Sequence, residues 1–194
     1  LPGLWLSHYL WPHHYNMLNS FSSRILQYIE ECHGLFYEIG VGCGMYSKTI
    51  LENIPNITGT GIDISESSLN FTQSMISSFG YSDRYSTLKH DIFRGIDKKA
   101  DFLVCQEVLE HVEDPLSFCK ALFDMVLPGG HAYITAALNA AHSDHIYLFS
   151  NPLQVEDMLR AVGFIPLGFQ EEFAFCQKPR SLTPSIAGFY CIKS

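Results

Sequence analysis

Ten residues, 35–44, constrain this chain more than any others. An apolar run, Leu35-Phe36-Tyr37, meets an acid, Glu38, and then glycines at alternate positions, Gly40, Gly42 and Gly44. The run predicts a short buried strand over Leu35–Ile39, and the residues after the last glycine predict a helix over Met45–Asn53. Glycines between a strand and a helix permit a tight turn, let a ligand approach the backbone and leave free N–H groups at the helix start. Dinucleotide-binding loops space their glycines as GxGxxG. Here the third glycine comes one residue early, so the loop alone does not name a ligand.

Short apolar runs keep alternating with longer amphipathic stretches, which predicts a parallel sheet flanked by helices. Further strands are expected at 57–62, 85–89, 101–106 and 131–135, with a final antiparallel pair at 164–169 and 187–192. Helices are expected from Ser65, with Glu66 just inside, and from Asp114-Pro115 until Pro128-Gly129-Gly130. Another spans 150–162 and stops at Gly163. Residues 17–31 show helical spacing, with Leu18, Phe21, Ile25, Tyr28 and Ile29 on one face. No repeat or linker interrupts the pattern. One domain over 1–194 is expected, with an aromatic N-terminal segment and helix (1–33) before the core (34–194).

At 47% apolar and 16% charged residues, the composition is that of a globular protein. The net charge of −8 argues against nucleic acid, because phosphate backbones need clustered Lys and Arg and only 12 are scattered here. Cys32, Cys43, Cys105, Cys119, Cys176 and Cys191 form no CxxC pair, which reads as buried thiols in a reducing, cytoplasmic setting. No apolar run is long enough to span a bilayer. The N-terminus lacks the basic start of a signal peptide, and a chain opening on Leu1 reads as one whose natural start lies upstream.

Three acids sit at the ends of successive strands. Glu38 ends an apolar strand, where an unpaired carboxylate is costly and a ligand ammonium would relieve it. Asp63, 23 residues after Gly40, can accept both hydroxyls of a ribose. Asp91 can accept from an adenine amino group. Each alone is a common cap or surface residue; together they outline one adenosine-shaped site.

Taken in order, Glu38-Ile-Gly-Val-Gly-Cys-Gly44, Gly61-Ile-Asp-Ile64, His90-Asp-Ile92, Gln106-Glu-Val-Leu-Glu-His111 and Leu127-Pro-Gly-Gly130 resemble the motifs of class I S-adenosylmethionine-dependent methyltransferases. The likeness extends over about 34–163 and is nearest to the ubiquinone-pathway type. It implies a single Rossmann-like three-layer α/β domain, with a seven-stranded, mostly parallel sheet in the order 3-2-1-4-5-7-6 and strand 7 antiparallel. It also implies S-adenosylmethionine as cofactor and S-adenosylhomocysteine as product. Glu38, Gly40, Gly42 and Gly44 would hold the methionine end, Asp63 with Ile64 the ribose, and Asp91 with Ile92 the adenine. Gln106 would lie near the sulfonium.

The acceptor belongs beyond the carboxyl ends of the strands, where three segments converge. They are 106–111, 136–149 and the aromatic stretch 5–15. The expected acceptor is a small molecule, free or carried on a protein, and is methylated on a hydroxyl oxygen. Such a hydroxyl must lose its proton, and His145 and His111 are the candidate bases. The plain alternative for His111, within Glu-x-x-Glu-His, is support of a helix start. Tyr15, Glu107, His142 and Tyr147 are the candidate acceptor contacts. No metal is required, although Glu107, Glu110, His111 and His145 could gather a divalent cation, as in metal-dependent O-methyltransferases of that pathway type. The stretch 1–15 is either a lid or a packed helix. Rival readings are nitrogen or carbon methylation, a nicotinamide dehydrogenase, and a non-catalytic interaction module. No feature sets the oligomeric state.

Overall fold

Side chains alternate across a strand, and along β1 (Leu35–Ile39) this alternation sorts the molecule into two cores. Leu35, Tyr37 and Ile39 pack with Phe118, Cys119 and Leu122 of α5 (Pro115–Met125) and with Val155 and Leu159 of α6 (Pro152–Val162). Phe36 faces the other way. It joins Tyr46 and Ile50 of α3 (Met45–Asn53), Ile76 of α4 (Glu66–Ser78) and Met17 of α2 (Pro12–Ser20). By the same parity Glu38 is turned toward α3, which decides what it can bond. The computed structural model that shows this describes residues 1–25, 34–175, 179 and 182–194.

All of β1 is buried because helices cover both faces, so the strand reads as an unbroken apolar run apart from Glu38. Phe36 is fully buried, and truncating it to Ala should cost about 3–5 kcal/mol. β1 runs parallel to β2 (Thr58–Asp63) on one side and β4 (Ala100–Cys105) on the other. β2 continues to β3 (Tyr85–Lys89), and β4 to β5 (Val126–Leu138). β7 (Ser185–Lys193) is antiparallel to both β5 and β6 (Phe164–Phe173), giving the order β3-β2-β1-β4-β5-β7-β6 expected above.

The expected helix starts hold. The Ser65 hydroxyl accepts from Ser68 N–H at 3.4 Å, Asp114 from Ser117 N–H at 3.0 Å and Asn151 from Gln154 N–H at 3.3 Å. Gly163 closes α6 with φ of 110°. Leu127-Pro-Gly-Gly130 differs from expectation, because it lies inside β5 instead of ahead of it. The register jumps from Ala100↔Val126 to Phe102↔His131, so this segment bulges out of the ladder, where Pro128 forfeits no hydrogen bond.

The N-terminal segment also differs. In place of a single helix from 17, the chain forms α1 (Pro2–Leu10) and α2, followed by a π-helical turn at Phe21–Ile25. A proline opens each helix, and Pro12 keeps Trp11 extended (φ −99°, ψ 117°), which breaks the chain into two helices there. The Asn16 amide ties α2 to β6 by donating to Glu172 at 2.9 Å. Tyr28, Ile29, Cys32 and Cys176 lie outside the described residues. The other four cysteines are free and buried. No helix among the described residues is long and apolar enough to cross a membrane.

Candidate active site

Glu38 is 3% exposed. Its carboxylate accepts from the Ser47 N–H at 3.1 Å and from the Ser47 hydroxyl, which itself lies 3.1 Å from the Tyr85 hydroxyl. The strand acid therefore caps the first turn of the helix that follows it, where the helix dipole favours negative charge. Burial still outweighs these bonds and lifts the carboxyl to about 7. Between the strand and α3 the chain turns through Gly40 (φ 69°) and Gly42 (φ 47°), a region open mainly to glycine. A β-carbon on Gly40 would also lie 2.5 Å from Val108. Gly44 supports the turn from beneath, its N–H donating to Val41 O at 2.6 Å.

The loop and Glu38 line a cavity of about 340 Å³ at the carboxyl ends of β1, β2 and β4. Gly40, Asp63, Val108 and His111 carry it into a slot of about 190 Å³ between Ile64, Asp91, Ile92 and Phe93. Asp63 accepts from Ser65 N–H at 2.8 Å and Asp91 from Phe93 N–H at 3.1 Å. In each case one carboxylate oxygen braces the loop, and the other has no partner among the described residues. The slot is apolar with acids at its edge, which suits a purine and its ribose.

On the far side, Leu4, Glu107, His111, Asp144 and His145 lead into a second cavity of about 450 Å³. Glu107 stands at the junction with φ of 46°, held by its N–H donating to Thr135 Oγ1 at 3.0 Å. A non-glycine residue in that conformation stores about 1–3 kcal/mol. Burial lifts its carboxyl to about 7. Glu110 is 1% exposed and accepts from Ala137 N–H at 3.3 Å, but its Oε2 is buried without a partner. Burial first, then the charge of Glu107, lifts it to about 8.

The two candidate bases flank Glu110. His111 Nδ1 is 2.8 Å from Asp144 O, and His145 Nδ1 is 2.7 Å from Ala140 O. A carbonyl can only accept, so each Nδ1 carries a proton, which leaves Nε2 as the ring position for a lone pair. The rings are perpendicular with centroids 4.8 Å apart. One ligand atom each from Glu110, His111 and His145 lies within 4.8 Å of the others, and Glu107 is not in this group. Glu107 faces His14 of α2 instead, at 3.9 Å. Locked Nδ1 protons beside a buried carboxylate are a donor set that a divalent cation could use.

Of the expected cofactor contacts, Glu38, Gly40, Gly42, Asp63, Ile64, Asp91, Ile92 and Gln106 line the cofactor cavity or its slot, and Gly44 does not. Glu107 and His142 line the acceptor cavity. Tyr15 and Tyr147 line neither; they are 49% and 39% exposed, and the Tyr147 ring rests on Phe149. The aromatic stretch 5–15, expected at the acceptor site, does line the second cavity through Trp11, His13 and His14. Sequence reasoning missed Ser47, and it missed that Leu4 and His8 of α1 wall the first cavity. Ser47 could have been found, since a hydroxyl in the first turn after a buried strand acid is its nearest possible donor. No local rule of that kind marks which cavity Leu4 and His8 face.

A methyltransferase-domain family model matches residues 37–132. The ubiquinone biosynthesis O-methyltransferase of Pseudomonas savastanoi pv. phaseolicola is 32% identical over 99 residues, 50% of this chain and 42% of that protein. The chain thus spans less than half the length of the curated relatives it matches. Among solved structures, one from Galdieria sulphuraria, provisionally named a sarcosine dimethylglycine methyltransferase, superposes with a TM-score of 0.76 at 13% identity, over 93% of this chain and 86% of that one. Magnesium protoporphyrin IX methyltransferase from Synechocystis PCC 6803, solved with S-adenosylmethionine bound, gives 0.69 at 16% identity, over 94% and 80%. Family match, sheet order and the acids at three strand ends agree. The chain belongs to the class I S-adenosylmethionine-dependent methyltransferases.

Proposed function

We propose that this chain methylates a hydroxyl oxygen of a small-molecule acceptor, free or tethered to a carrier protein, in a reducing, cytoplasmic setting. His145 and His111 take up the proton that the hydroxyl must lose. The observation behind this is the convergence of Glu110, His111 and His145 where the cofactor and acceptor cavities meet, with neither Nε2 hydrogen-bonded among the described residues. S-adenosylmethionine, when bound, supplies an electrophilic methyl on sulfur, so aligning the acceptor provides much of the acceleration. Proton removal adds a further 10²–10⁴-fold, approximately, and a hydroxyl acceptor needs it, whereas a neutral amine can attack before it loses a proton. The named activity of the Pseudomonas relative favours oxygen as well.

A second reading rests on the same three residues. Glu110 Oε2 is buried without a partner, and Glu110, His111 and His145 would hold a divalent cation, which would supply Lewis-acid activation of the hydroxyl. Methyl transfer from S-adenosylmethionine to catechol and to benzylamine, each with magnesium or with EDTA, tests both. Methylation of catechol that survives EDTA supports the histidine base. Loss with EDTA and recovery with magnesium supports the cation. Transfer to benzylamine alone overturns oxygen as the acceptor atom. Thermal stabilisation by NAD and not by S-adenosylhomocysteine would overturn the methyltransferase reading altogether.

A further inference from the structure

The cofactor is a zwitterion at its amino-acid end, and the cavity that would hold that end is unevenly equipped for it. Glu38, Asp63, Glu107, Glu110 and Asp144 line the cavity, and no Lys or Arg does so among the described residues. An ammonium has ample choice. A carboxylate in so acidic a cavity needs donors, and a buried anion left unpaired is strongly disfavoured. His111 and His145 have committed their Nδ1 protons to carbonyls and lie toward the acceptor cavity, whose wall they share.

The remaining ionisable donor is on α1. His8 lines the cofactor cavity and not the acceptor cavity. It is 6% exposed, and its Nδ1 is buried with no hydrogen-bond partner among the described residues. The ring is held edge-on to Tyr46, with centroids 5.9 Å apart, on the helix that leaves the glycine loop. Leu4, one turn earlier on α1, lies over that loop: a β-carbon on Gly42 would be 3.0 Å from its Cδ2. Helix α1 therefore brings an uncommitted imidazole to the glycine-loop end of the cavity. Burial lowers the ring to about 4, so it meets a ligand anion as a neutral ring with one N–H to donate.

We propose that His8 is a cofactor-binding residue whose ring N–H donates to the carboxylate at the methionyl end of S-adenosylmethionine, beside the glycine-loop backbone. This rests on the cofactor occupying this cavity, which binding of S-adenosylhomocysteine by the wild-type chain checks separately.

The discriminating experiment is calorimetry with two ligands, S-adenosylhomocysteine and 5′-methylthioadenosine. The second keeps the adenosine and the sulfur but lacks both the carboxylate and the ammonium. His8→Ala should weaken S-adenosylhomocysteine about tenfold or more, the size of a hydrogen bond to a charged group, and leave 5′-methylthioadenosine within about twofold. His8→Asn, which keeps an N–H donor, should recover part of the loss and also carries the test if the alanine variant does not fold. Equal weakening of both ligands would make His8 a packing residue and overturn the proposal. So would unchanged binding of S-adenosylhomocysteine. No binding of it by the wild-type chain would overturn the cofactor reading as well.

Discussion

Around Glu38, Asp63 and Asp91, each acid already holds a backbone N–H of the turn or helix that follows its strand, at 3.1, 2.8 and 3.1 Å. Around Glu107 and Glu110 the pattern reverses. Glu107 sits in a strained backbone conformation, and among the described residues Glu110 keeps a buried oxygen unpaired and α2 adds ring nitrogens of His13 and His14 that make no hydrogen bond. Buried polar groups are normally satisfied, so the fold itself braces the three acids, with His8 an unpaired buried group on their side, whereas the acceptor half retains more unmet polarity for a ligand to use. The halves should accordingly fail in different ways.

The sharpest break between them is expected at His145 and His111. Replacing either with Ala should lower kcat for a methylated probe such as catechol about 10²- to 10³-fold, with S-adenosylhomocysteine affinity unchanged in calorimetry. If affinity falls with kcat, the two halves are not separable. Asp63→Ala should do the converse. Loss of hydrogen bonds to a charged group is worth about 1.5–3 kcal/mol, so S-adenosylhomocysteine should bind roughly 10- to 100-fold more weakly.

A smaller effect is expected from pH. The folded carboxyl of Glu38, at about 7, lies above its ordinary value of 4.5. Its contribution to stability is thus fully present below that ordinary value and lost as pH rises through about 7. The empty protein should melt lower at about pH 8 than at about pH 5.5, as far as this group controls it. A ligand ammonium prefers the ionised carboxyl, so S-adenosylhomocysteine should bind about tenfold more tightly over that rise. Flat affinity across the range would detach Glu38 from the cofactor. Smallest of all, Tyr15→Ala should change KM by less than about twofold, since a singly exposed aromatic outside both cavities needs no functional explanation. A larger change would mean that the acceptor reaches past the cavity.

The sequence was most readable where one local rule governed each residue. The strand Leu35–Ile39 and the helix Met45–Asn53 appear with the bounds expected of them, because periodicity, glycine turns and caps all act over a few residues. The three acids were legible for the same reason, each closing a strand. What escaped depended on distance. Ser47 reaches Glu38 only because parity turns that side chain toward α3, and His14 reaches Glu107 only because Pro12 bends the N-terminus back over the sheet. Tyr15 and Tyr147 shared a segment with true cavity residues, and on such a segment side-chain direction cannot be told from order alone.

The most direct test of the account is a crystal structure of the chain with S-adenosylhomocysteine. It should place the adenine between Ile64, Ile92 and Phe93, the ribose on Asp63, and the sulfur facing the junction where Glu107, Glu110, His111 and His145 meet. A ligand seated elsewhere, or a sulfur directed away from that junction, would contradict it.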